Sequence, residues 1–158
     1  MTATNKAKLT ETKQSDPLYE QDYYLWLQKT ASLIASGKLQ ELDVVNLLEE
    51  IEDMGRSEKR AIYSNLKILL FHLLKYKYQP DKRSNSWQYT IAKHRQRIAK
   101  AIEESPSLKF YLPETYLECY QKARKLAAKE TGLALTIFPQ ECPFVTGQIL
   151  NEDWLPEE

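Results

Sequence analysis

Glycine is scarce in this chain, with only four in 158 residues, and that shortage argues against a loop-rich or disordered protein. Cysteine is scarcer still. Cys119 and Cys142 stand far apart with neither a CxxC nor a nearby histidine pair, which argues against a zinc finger or a redox motif, so both read as reduced, mostly buried thiols. Histidine occurs only as His72 and His94, too few for multi-histidine metal chemistry. The longest apolar run, Ile68 to Phe71 followed by His72, Leu73 and Leu74, falls far short of the roughly 20 residues that span a bilayer. Residues Met1 to Ser15 lack the apolar core of a secretory signal, so a soluble, cytoplasmic protein without membrane association is expected. A Gly-rich phosphate loop, an HExxH pair and a dinucleotide fingerprint are all missing, and no cofactor is expected. Net charge is absent too, with 22 basic against 22 acidic residues, so affinity for a nucleic acid must come from a local patch.

What is present reads as helix. The length suits one domain that buries roughly 70% of the surface its unfolded chain exposes. Residues 1–15 are polar and read as a disordered tail, followed by a single helical-bundle domain over 16–158. Asp16 and Pro17 supply a helix N-cap and first residue, and Tyr19, Tyr23, Trp26 or Leu27, Thr30 and Ile34 recur at helical spacing up to Gly37. Asp43 caps a second segment whose stripe is Val44, Leu47, Leu48, Ile51 and Met54, and Ile62, Leu66, Leu69, Leu70, Leu73 and Leu74 form another. The expectation is a helix from Asp43 to about Tyr78, bent or broken near Gly55. Gln79 to Ser86 reads as a loop, and Trp87, Ile91, Ile98 and Ile102 mark a helix to about Glu104. Ser105 and Pro106 repeat the opening signal, with a helix to Thr131 and Gly132. Beyond it Pro139, Pro143 and Pro156 indicate an extended tail with one short helix near Gly147 to Leu150. The predicted architecture is an all-α, up-and-down helical bundle of four to five helices with a Pro-containing C-terminal wrap.

The ordered segments YEQDYYLWLQKTASLIASGKLQELDVVNLLEEIEDMG, SEKRAI, HLLKY, YQPDKRSNSW, ESPSLK, AAKETGL and ECPF resemble a bacterial family, number 29 among the domains of unknown function. The resemblance covers about residues 16 to 156. It implies an all-helical fold in a bacterial setting, and since the family has no established activity it carries over no catalytic residue, cofactor or partner.

The zero total charge conceals a split. Residues 41 to 58 carry about −6 and residues 75 to 100 about +7 by formal count. On a helix Glu49, Glu52, Asp53 and Arg56 share one face, so three carboxylates can converge, either as a hard-metal or acid-base site or as plain surface ion pairs. No Glu-x-x-His accompanies them. His72 interrupts the most apolar helix and is either a general base near neutral pH or a hydrogen-bonded core histidine. In the basic block Lys93, Arg97 and Lys100 fall at i, i+4 and i+7 on one face, and Tyr76, Tyr78, Trp87 and Tyr89 interleave with bases, a pattern suited to single-stranded nucleic acid. The loop residues Lys82, Arg83, Ser84, Asn85 and Trp87 gather donors beside Pro80, although Ser84 and Asn85 also suit helix capping. The leading expectation is a binding or regulatory module for a protein or polyanion partner, nucleic acid included. The alternative is a hydrolase or nuclease-like enzyme built on Glu49, Glu52 and Asp53 with His72 or Arg83 assisting.

Overall fold

A computed structural model describes residues 15–157, so the first fourteen residues of the expected tail lie outside the described residues. The described fold is all-α. Its helices are α1 (Leu18–Gln21), α2 (Tyr23–Ala35), α3 (Val44–Tyr78), α4 (Asn85–Glu104), α5 (Tyr111–Thr131) and α6 (Thr146–Leu150), and among the described residues there is no strand. Short 3-10 turns at Leu39–Glu41, Pro80–Lys82, Pro106–Phe110 and Leu135–Ile137 connect them.

Two expectations about helix ends need correction. The first helix is two, because Asp22 leaves helical geometry and its carboxylate accepts a hydrogen bond from Leu25 N at 3.0 Å, capping α2. Conversely, Gly55 breaks nothing. It lies inside α3 without a positive φ, since a glycine costs only about 1 kcal/mol in a helix interior and its neighbours are good helix formers. The positive-φ glycines are Gly37 and Gly132, both at φ 72, where a left-handed residue ends the preceding helix. The short C-terminal helix forms despite Gly147, with Gln148 Oε1 accepting from Val145 N at 3.1 Å.

The described chain divides into two compact units, one up to Arg56 and the other from Ser57 onward. In the first, Asp43 is the organising residue. Its Oδ2 accepts from Asp16 N at 2.9 Å, Trp26 Nε1 at 3.1 Å and Asn46 Nδ2 at 2.7 Å, while Oδ1 accepts from Asn46 N at the start of α3. The Glu50 carboxylate receives the hydroxyls of Tyr19 at 2.5 Å and Tyr23 at 2.7 Å. Trp26 is 1% exposed and packs edge-on to Tyr19, with ring centroids 4.9 Å apart. Charge-assisted hydrogen bonds and aromatic contacts therefore hold this unit where an aliphatic core would otherwise do so.

The second unit has such a core. Ile62, Leu66, Leu69, Leu70, Leu73 and Leu74 of α3 pack with Ile91 and Ile98 of α4 and with Leu112, Cys119, Tyr120, Ala123 and Ala127 of α5. Phe138, Phe144 and Ile149 of the C-terminal wrap complete it. The irregular backbone of that wrap is satisfied by side chains reaching from the long helices. Arg95 of α4, 2% exposed, donates to the carbonyls of Ile149, Gln148 and Glu152. From α5, Arg124 donates to Phe138 O, Tyr120 to Pro139 O, Gln121 to Gln140 O and Tyr116 to Phe144 O. Both cysteines are free thiols, Cys119 buried and Cys142 half-buried.

Candidate functional site

The acidic set of α3 converges as its spacing dictates, and what it converges on is Arg56. The guanidinium reaches Glu49 at 3.0 Å, Glu52 at 3.8 Å and Asp53 through Nε at 2.9 Å. The adjoining Asp53 carboxylate, with Glu49 behind it, holds the Arg56 guanidinium above its usual pKa. This is a solvent-facing ion network with a cation already at its centre. Among the described residues no group of three or more His, Cys, Asp or Glu side chains is placed to hold a metal ion.

His72 is half-buried, and its Nδ1 lies 3.0 Å from Ile68 O one turn earlier, so that nitrogen donates to a helix carbonyl. Burial pushes its pKa below the usual histidine value. The second histidine is the more connected. His94 of α4 is buried and its Nδ1 lies 2.7 Å from Asn65 Oδ1 of α3; burial, with Arg97 next, lowers its pKa too. Three of the eight bases in the basic block also turn inward. Lys75, 5% exposed, sits over the Trp87 ring at 4.4 Å and pairs with Glu130 at 2.8 Å. Arg95 clamps the wrap as described. Arg83 lies over the Tyr76 ring at 4.6 Å and donates to Tyr76 O at 2.7 Å, and its buried Nη2 has no partner among the described residues.

The loop residues are largely occupied by structure. Ser84 Oγ accepts from Trp87 N at 3.2 Å and caps α4, whereas Asn85 is the first helical residue and its side chain is exposed. Trp87 is half-buried against the core, and Lys82 is exposed. Of the four aromatics that interleave with the bases, Tyr76 is buried, Tyr78 packs edge-on to Phe138 at 5.4 Å, and Tyr89 alone is exposed, at 67%.

One face remains. Tyr89, Lys93, Arg97 and Lys100 succeed one another at steps of four, four and three along α4, so their side chains form a single stripe about 16 Å long at 1.5 Å per residue. Lys93 Nζ stands 6.0 Å from the Tyr89 ring centre. Lys100 pairs loosely with Glu104 at 3.7 Å, while Lys93 and Arg97 form no ion pair among the described residues. Helical spacing puts Lys93, Arg97 and Lys100 on one face, while sequence reasoning missed the inward contacts of Lys75, His94 and Arg95 and the bond from Trp26 to Asp43. For His94 and Arg95 the signal was present, since both fall between Ile91 and Ile98 on the apolar side of α4.

No helix among the described residues is long and apolar enough to cross a membrane. No curated protein and no solved structure matches the chain. A family model described as domain of unknown function DUF29 matches residues 18–155, nearly the whole length, and the chain therefore belongs to the DUF29 family.

Proposed function

We propose that the protein is a binding module, and that the Tyr89, Lys93, Arg97 and Lys100 face of α4 engages an acidic segment of a partner protein. The observation that carries this is the division of labour within the basic block. Lys75, Arg83 and Arg95 serve the fold, whereas half-buried Lys93 and exposed Arg97 of α4 form no ion pair among the described residues. Formal charges left unpaired on one face attract an opposite patch and fix its register. A single exposed ring supports an acidic peptide better than single-stranded nucleic acid, which stacks successive bases on several aromatics.

The test is a titration of the full chain against a fluorescent sixteen-residue Glu-rich peptide and, separately, a single-stranded oligonucleotide, at low and raised salt. Binding of the peptide should weaken with salt and fall by about tenfold or more in Lys93→Glu with Arg97→Glu. Peptide binding unaffected by the double reversal contradicts the proposal, and preferential binding of the oligonucleotide replaces the protein partner with a nucleic acid.

A further inference from the structure

The stretch from Asp43 to Arg56 carries a second unexplained surface, of opposite sign. Ile51 and Met54 lie one turn apart on α3 and are 56% and 62% exposed. Leu47 and Leu48, the preceding apolar positions on the same stripe, are half-buried. Among the described residues Glu50 and Asp43 hold Tyr19, Tyr23 and Trp26, whereas Ile51 and Met54 are left mostly exposed. Two large apolar side chains at helical spacing, extended by two half-buried leucines, form a ridge of the kind that marks protein association.

We propose that this ridge docks a basic amphipathic helix of a partner protein, its apolar stripe against Ile51 and Met54 and its lysines and arginines over the flanking acids. Charge decides the occupant. Glu50 and Glu58 lie one turn to either side of Met54 on the same side of α3, so a second copy offering this face would bring like charges together, and an anionic membrane would repel it as well. A cationic helix with an apolar seam covers the exposed side chains and places its bases beside Glu50 and Glu58, each one turn from Met54 on α3. The ridge belongs to α3 and the basic stripe to α4, and neither proposal depends on the other.

The experiment uses the full chain and an eighteen-residue labelled peptide with leucines at i, i+3, i+4 and i+7 among lysines, together with a scrambled isomer of identical composition. The expected result is that the amphipathic peptide binds at least about tenfold more tightly than its isomer. Ile51→Asp with Met54→Asp should abolish that preference, as truncation of central anchors does, while Lys93→Glu with Arg97→Glu leaves it unchanged. Circular dichroism of the Ile51, Met54 variant checks that helix content is retained, as substitution at exposed positions predicts. Equal binding of both peptides, or full preference in the Asp variant, overturns the proposal. So does sedimentation showing a dimer of the free protein that the Asp variant dissolves, because the ridge would then be covered by a second copy.

Discussion

Up to Arg56, Trp26 is the only hydrophobic side chain buried among the described residues, and Tyr24, Leu39, Ile51 and Met54 are each more than half exposed. From Ser57 onward the leucines of α3 are sealed at 0–2% exposure and polar groups are recruited to tie irregular backbone to the core. The same helix, α3, supplies apolar stripes to both regions. Local pattern is therefore not what separates them. The later region surrounds its stripe with two long helices and a wrap, whereas the earlier one depends on carboxylate and aromatic contacts and leaves Ile51 and Met54 exposed.

The comparison is most severely tested by truncation. Leu70→Ala or Leu73→Ala should cost about 2–5 kcal/mol in urea unfolding, while Ile51→Ala should stay within about 0.5 kcal/mol of the parent. A comparable loss at Ile51 would mean that its side chain supports the fold. Replacing Arg95 by Met should cost about 1–3 kcal/mol, because the Gln148, Ile149 and Glu152 carbonyls lose their buried donor, and limited proteolysis should then cut first within 146–157. Asp43→Ala should cost about 1–2 kcal/mol as a lost cap, with a red shift in fluorescence as Trp26 loses its acceptor, and should leave protection of the α4 amides unchanged.

The smallest effect is that of pH. Burial depresses the pKa of His72 and His94 in the folded state, so as pH falls below about 6.5 the unfolded chain takes up protons that the folded chain does not. Stability should decline as pH drops from about 6.5 through the folded pKa values and then level off, and His94→Asn should flatten the decline in urea midpoints. A midpoint that rises on acidification would place the histidines with an anionic partner instead.

Much of the fold was legible because helical period and capping chemistry are local. Gly37, Gly132, Ser84 and Asp43 ended or opened helices where their residue types indicated. The division at Asp22 was missed because a single Asp within a strong aromatic period looks like a surface residue until its carboxylate is seen on Leu25 N. The site was legible in part. The stripe of Lys93, Arg97 and Lys100 follows from spacing, but charge type alone could not distinguish them from Lys75 and Arg95, whose partners lie 55 and 54 residues away. Likewise, the convergence of Glu49, Glu52 and Asp53 was foreseen, and its completion by Arg56 gives those carboxylates a structural partner.

Native-state hydrogen exchange tests the contrast between the two regions most directly. Two levels of protection are predicted, with amides in the core-facing turns of α3 from Ile62 to Leu74 exchanging only through global unfolding and those of α2 exchanging through a cheaper, separate opening. A single opening free energy shared by α2 and the Ile62 to Leu74 segment would contradict the account.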